Sequence, residues 1–282
     1  DGKHHIHGQA NRKHLSVFCW SARTPQWTQY PLGEPTALCN LWDESVIVGY
    51  YAFRRKRIPV RLYARFVVAP MGVPAYVDSN GAFTERGMQY FVERAKGGFG
   101  LIYTGVMLVD NEVEPMSPPS FLNHPEIFYP AATRLNERLS SYGAKFFCEV
   151  GLGVGRNYPT FKSPSPAEVF GYPQMTSEAL TVDEIHKKRD CVIKAAAIAK
   201  QSGFAGVDIH TLHWGYLLDQ FVMSITNKRE DEYGGTLENQ RRLVKEIVDG
   251  IHQVCGSDYP VTMGLGVKSY IKALNKASLH GD

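Results

Sequence analysis

The sequence predicts an α/β fold, a (β/α)8 TIM barrel cut off after about five βα units. Three observations lead there. Short apolar runs recur at residues 65–71, 99–104, 145–150, 205–209 and 261–267, each with the length and content of a strand buried on both faces. Helical stretches separate most of them, and strand–helix alternation is the pattern of a parallel sheet covered by helices. Right-handed crossovers allow a doubly wound sheet or a barrel, and the lack of a GxGxxG after the first run counts against the former.

Composition narrows the function classes. The 282 residues are enough to bury a sizeable core, and 44% hydrophobic with 21% charged residues is an ordinary globular balance. A net charge of +3 gives no argument for nucleic acid or a membrane surface as partner. No apolar run approaches the ~20 residues that cross a bilayer. The N-terminus shows no basic-then-apolar signal pattern. Cys19, Cys39, Cys148, Cys191 and Cys255 form no CxxC pair, so neither a disulfide frame nor a zinc site is expected. These points together predict a reduced, cytoplasmic protein.

Residues 1–53 stand apart as an unassigned segment, rich in His, Trp, Pro and Arg, with little periodicity beyond a short run at 45–48. His4, His5 and His7 cluster there, but nothing fixes a coordination geometry, so a solvated tail is expected rather than a metal site. The barrel domain is set at residues 54–282. Its first strand, 65–71, ends at a proline. Residues 84–96 follow as an amphipathic helix with Met88, Phe91, Val92 and Ala95 on one face, stopped by Gly97 and Gly98. A second strand, a helix over 130–142 ended by Gly143, and a third strand come next. The Pro-, Ser- and Gly-rich stretch 151–179 is expected as a long functional loop. Thr181 and Glu184 make a capping box that opens a helix to about Ser202. The fourth strand, a helix from about Leu237 to Val254 and the fifth strand complete the chain.

Chemistry concentrates in residues 203–242. Asp208 and His210 share one face of the fourth strand, since side chains alternate. His210 lies at the strand's end, His213 in the loop beyond it, and Tyr216 follows after a glycine. A core histidine and a surface histidine would look the same, and a metal site lacks a well-placed third ligand. Two donors to polarise a carbonyl and a phenol to give a proton nevertheless suit reduction of an activated alkene. Pro70, Met71, Gly72 and Gly105 lie at strand ends, where they are turns by default. Glycine there also lets a flat ring approach the main chain.

The segments HTLHWGYLLDQF and TNKREDEYGGTLEN resemble the signature of the Old Yellow Enzyme family of flavin-dependent reductases, and the likeness extends over about residues 57–282. Residues 86–114, the stretch SPAEVFGYPQMTSEALTVDEI and the spacing of His210 and His213 are most similar to 2-enoate reductases and bile-acid-inducible ketosteroid oxidoreductases. The resemblance implies FMN as cofactor and NADH as reductant. It implies an α,β-unsaturated acid, ketone or thioester as substrate, with a homo-oligomer possible. It casts Tyr216 as proton donor, His210 and His213 as holders of the substrate oxygen, and Pro70, Met71, Gly72, Gly105 and Glu149 as flavin contacts. An iron–sulfur cluster and FAD are implied only for a chain continuing past Asp282. Two positions depart from the pattern: Glu149 stands for a glutamine at the flavin edge, and Gly264 for an arginine that counters the charge of the reduced ring. The barrel's last strands, which hold the phosphate, are expected beyond Asp282. Alternatives are a 2,4-dienoyl-CoA reductase-like activity, a non-catalytic barrel that binds no flavin, and a metal-dependent hydrolase built on the two histidines.

Overall fold

The computed structural model describes residues 16–21, 26–31, 46–50, 58–62, 66–73, 75–110, 112–114, 120–156, 162–169, 172–211 and 216–264. His4, His5, His7, His213 and the end of the fifth predicted strand, residues 265–267, lie outside them.

Two antiparallel ribbons come first, β1 (Ser16–Ser21) with β2 (Gln26–Pro31), and β3 (Val46–Tyr50) with β4 (Ile58–Leu62). The parallel sheet follows: β5 (Phe66–Val68), β6 (Phe99–Tyr103), the short β7 (Met107–Leu108) and β8 (Lys145–Gly151). Four short strands, β9 (Lys162–Ser163), β10 (Glu168–Val169), β11 (Tyr172–Thr176) and β12 (Glu178–Ala179), form two small ladders inside the stretch expected as a loop. β13 (Gly206–Ile209) and β14 (Val261–Met263) complete the sheet.

The strand order decides between the two architectures. It runs β14-β13-β8-β6-β5, all parallel, with β7 paired to β8 off that path. Each new strand therefore joins beside the previous one. A doubly wound sheet would reverse its order part-way; a sheet that never reverses curls toward a barrel. β5 to β14 with their helices thus form the first part of a (β/α)8 barrel.

Helices cover the outer face: α1 (Glu85–Lys96), α2 (Pro125–Ser140), α3 (Val182–Gln201), α4 (Leu217–Val222), α5 (Leu237–Gln240) and α6 (Arg242–Cys255). Thr84 caps α1 by accepting from the Gly87 N–H, and Met88, Phe91, Val92 and Ala95 are its buried face. The capping box on α3 is present in both directions: Thr181 N–H donates to Glu184 Oε2 at 2.8 Å, and Glu184 N–H to Thr181 Oγ1 at 3.2 Å.

Three boundaries differ from those expected. α2 starts five residues earlier than Pro130. Pro125 takes the first helical position, where a missing N–H costs nothing, and Pro130 is carried inside because Phe128, Ala131, Ala132, Leu135 and Leu139 are buried. The helix expected over 237–254 is broken at Arg241 (φ −92°, ψ −5°) into α5 and α6. The first strand shrinks to Phe66–Val68, because Pro70 has no N–H for the ladder.

Alternation along the strands divides the interior in two. Val68, Ile102, Phe146, Cys148, Val150, Val207, Ile209 and Val261 face the helices and join the main core. Leu101, Tyr103 and Phe147 face inward and pack with Leu62 of β4, a small second cluster. At the C-terminal ends the inner face turns polar.

Candidate active site

That polar end is built by strand register. Phe147 and Glu149 share the inner face of β8 because they are two residues apart. Glu149 pairs in register with Asp208 on β13, and Asp208 with Thr262 on β14. Three polar side chains therefore lie side by side on adjacent strands, all buried. The Thr262 hydroxyl donates to Asp208 Oδ1. The Glu149 N–H donates to Thr104 Oγ1 at 2.8 Å. Burial pushes the Asp208 carboxyl from 3.8 up to about 6; the Thr262 hydroxyl opposes this and the neighbouring Glu149 charge adds to it.

His210 follows directly on β13. Its N–H donates to Val150 O at 2.9 Å, which extends the ladder one residue past the strand. Its ring Nδ1 lies 2.7 Å from Glu149 Oε1. Tyr216 sits at the N-cap of α4 in extended backbone, and its ring centroid is 5.2 Å from that of His210 at 61°. The turn is pinned by Leu217 N–H donating to Gly153 O at 3.2 Å and by the buried Leu217, Leu218 and Phe221. Two of the three residues expected to do chemistry are thus brought together.

A cavity of about 400 Å³ opens over this end of the sheet. Pro70, Met71 and Gly72 form one wall, Glu149, Asp208 and His210 the floor, and Thr211 and Gly264 the far side. Gly105 lies behind the wall and not on the cavity. A β-carbon there would sit 2.6 Å from Met71 O and 2.8 Å from Gly72 Cα, so its bareness lets the two strand ends approach. At Gly72 a β-carbon would meet nothing within 4 Å, so this wall is open.

These features fit a flat heteroaromatic ring. The cavity falls within the roughly 300–1,000 Å³ range of small-molecule sites. Its wall is open at Gly72, and Glu149 offers an acceptor. No Lys or Arg is among the described residues lining it. Pro70, Met71, Gly72, Glu149 and Gly264 are the described residues that would hold a flavin ring, with no cationic partner for its reduced form.

Comparison with known proteins settles the kinship. The sequence profile of the NADH:flavin oxidoreductase / NADH oxidase family matches residues 57–278, well over half of the chain. The chain belongs to this family. It is 41% identical over 224 residues to a cinnamate reductase of Clostridium sporogenes, covering 76% of this chain and 34% of that protein. It is 30% identical over 220 residues to an NADH oxidase of Thermoanaerobacter brockii, covering 75% of this chain and 33% of that one. The chain therefore spans about a third of the length of these two relatives. Among solved structures, a 2-naphthoyl-CoA reductase in complex with 2-naphthoyl-CoA matches with a TM-score of 0.63 and 27% identity, over 72% of this chain and 33% of that one. The Old Yellow Enzyme of Pichia sp. AKU4542 matches with a TM-score of 0.66 and 24% identity, over 78% of this chain and 61% of that one, which bears on the fold.

Several residues of this barrel had no individual role assigned from the sequence. Lys188, fully buried on α3, lies 2.8 Å from Asp110 Oδ2, contacts Glu114 Oε2, and donates to Leu152 O at 3.0 Å. Nothing in the spacing of Asp110, Glu114 and Lys188 marks them as partners. In the TNKREDEYGG stretch, Asn227 Nδ2 donates to Phe221 O and Tyr233 O, both at 2.7 Å. Arg229 donates to Pro164 O and Leu180 O at 2.8 and 2.6 Å. That part of the signature holds backbone around α4.

Proposed function

We propose that this barrel is the flavin-binding portion of an ene-reductase, reducing the C=C bond of an α,β-unsaturated acid, ketone or thioester at the expense of NAD(P)H. One observation carries the reading. His210 and Tyr216, a hydrogen-bonding imidazole and a phenol, stand ring to ring beside an open-walled cavity at the C-terminal mouth of a parallel barrel. This is where barrels of this class place their chemistry. The name of the Clostridium relative supports an unsaturated acid, and that of the 2-naphthoyl-CoA reductase supports a thioester.

FMN, when bound, would supply hydride exchange between the nicotinamide and the substrate's β-carbon. The chain's own residues would do the rest. His210 would hold the carbonyl oxygen and stabilise charge gathering there in the transition state. The Tyr216 Oη would deliver a proton to the α-carbon. The Thr104–Glu149–His210 hydrogen bonds would keep the imidazole from turning away. His213 would be a second partner for the substrate oxygen.

A barrel that takes up no flavin is the second reading, favoured by Glu149 and Gly264 at the ring's edge. The visible spectrum of the purified chain, titrated with FMN and then reduced with dithionite, separates the two. A bleachable flavin band near one equivalent supports the ene-reductase. No band at saturating FMN rejects it for this chain.

A further inference from the structure

Glu149 and His210 form a buried, hydrogen-bonded pair at the cavity. An ionised carboxylate has no proton to give, so the 2.7 Å contact between Glu149 Oε1 and His210 Nδ1 places the proton on Nδ1. Both residues are buried, at 5% and 9% exposure, which removes water as a competitor. Each is held independently by its main chain, Glu149 through Thr104 Oγ1 and His210 through Val150 O. The two backbones are thus fixed, and only the side-chain rotamers remain to be ordered when the pair forms. A glutamine at position 149 could present either its oxygen or its amide nitrogen to the ring, so it would leave the tautomer open. A carboxylate leaves one choice.

We propose that Glu149 is a positioning residue for His210, fixing the imidazole as the Nδ1–H tautomer and aiming the ring at the cavity beside Tyr216. The proposal rests on the ene-reductase reading and adds a condition to it: with Nδ1–H given to Glu149, Nε2 donates to the substrate oxygen only when the ring is an imidazolium, because Nε2 of the neutral Nδ1–H ring is an acceptor. Among the described residues, the groups near the ring come from three strands and the start of a helix. Glu149 comes from β8, Asp208 from β13, Tyr216 from the start of α4, and the hydroxyl of Thr262 from β14. No Lys or Arg lines the cavity among the described residues, and Glu149 is in direct contact with ring Nδ1.

The test needs neither flavin nor substrate. The 282-residue chain is labelled with 15N-histidine, and the ring nitrogens are read by NMR at an alkaline pH where free imidazole is neutral. The His210 signals are assigned by their loss in His210→Asn. Wild type is expected to show Nδ1 as the protonated nitrogen. Glu149→Gln should raise the share of the Nε2–H tautomer several-fold, and Glu149→Leu should make it dominant, as in a free histidine side chain. A wild-type ring protonated on Nε2, or a Glu149→Gln spectrum unchanged from wild type, would overturn the proposal. If the leucine variant does not fold, the isosteric glutamine variant decides alone. The reaction reading is judged separately by flavin uptake and turnover. An active chain with an Nε2–H ring would sink the pairing alone, and an inactive chain with an Nδ1–H ring would sink only the reaction.

Discussion

Asp208 and Glu149 are register partners on adjacent parallel strands, so two buried carboxylates stand side by side on the inner face of the barrel. Such pairs favour keeping one proton between them. The Asp208 carboxyl moves from 3.8 to about 6 on folding, so between those values the folded chain holds more protons than the unfolded one. Stability contributed by this group is therefore greatest below about pH 4 and falls as pH rises through 6, by at most roughly 3 kcal/mol. Asp208→Asn keeps an acceptor for the Thr262 hydroxyl and removes the charge. Urea midpoints should show the variant more stable than wild type at pH 7.5, with the gain fading by pH 4.5. Equal destabilisation at both pH values would contradict the account.

Tyr216→Phe removes the phenol without changing the ring's packing on His210. If the phenol is the proton source, kcat for reduction of an unsaturated ketone should fall by roughly 10²–10⁴-fold. The visible spectrum of bound flavin and its rate of reduction by NAD(P)H should be unaltered. A loss of less than threefold would assign protonation to another group or to solvent.

The pocket floor also bears on which substrates enter. With Glu149 and Asp208 present and no Lys or Arg on the described lining, a second carboxylate would be brought against like charge. An unsaturated methyl ester should bind more tightly than its free acid, by about tenfold at pH 7.5, and Glu149→Gln should narrow that gap. Calorimetry on the matched pair of ligands reads it directly. Preference for the acid in both proteins would show that a cation outside the described residues dominates the site.

The parts of this molecule that were legible in the sequence share a physical reason. Strand and helix order could be read because burial on both faces leaves apolar runs, and because Thr84, Thr181 and Thr236 mark helix starts through local hydrogen bonds. His210 and Tyr216 were singled out by their spacing, and the structure brings their rings together. What escaped was everything set by register or by partners far apart in the chain. Asp208 was placed on the same face as His210, but its pairing with Glu149 depends on how two strands 60 residues apart align. Pro130 misled the boundary of α2, because the burial that lets a helix carry an interior proline is tertiary. Lys188 was not singled out at all, because its full burial depends on partners far away in the chain.

Lys188 gives the most demanding prediction. Its ammonium sits between Asp110 and Glu114, both carried by the segment after β7, and also donates to Leu152 O. Burial alone would raise the Asp110 carboxyl, but the Lys188 charge and hydrogen bond, with the Val113 and Glu112 N–H groups, hold it below its ordinary value. A depressed carboxyl stabilises the fold above its unfolded value and loses that contribution as pH falls through the folded one. Replacing Lys188 by Met strands two buried carboxylates, a change of the kind that costs roughly 3–5 kcal/mol. The variant's stability deficit should be largest at neutral pH and should shrink in acid as the orphaned carboxylates protonate, opposite to the acid sensitivity of the wild-type triad. Adding Asp110→Asn and Glu114→Gln to Lys188→Met should recover much of the loss. The effect should also reach the site, because Gly153, next to Leu152, accepts the Leu217 N–H that pins the turn presenting Tyr216. Room there is tight: a β-carbon on Gly153 would lie 3.0 Å from Lys188 Nζ, in a backbone conformation with φ of +145°. Turnover of Lys188→Met, measured well below its unfolding temperature, should therefore fall in kcat more than in KM. A variant as stable as wild type at pH 7, or one destabilised with kcat unchanged, would show that the triad does not couple the loop after β7 to the tyrosine.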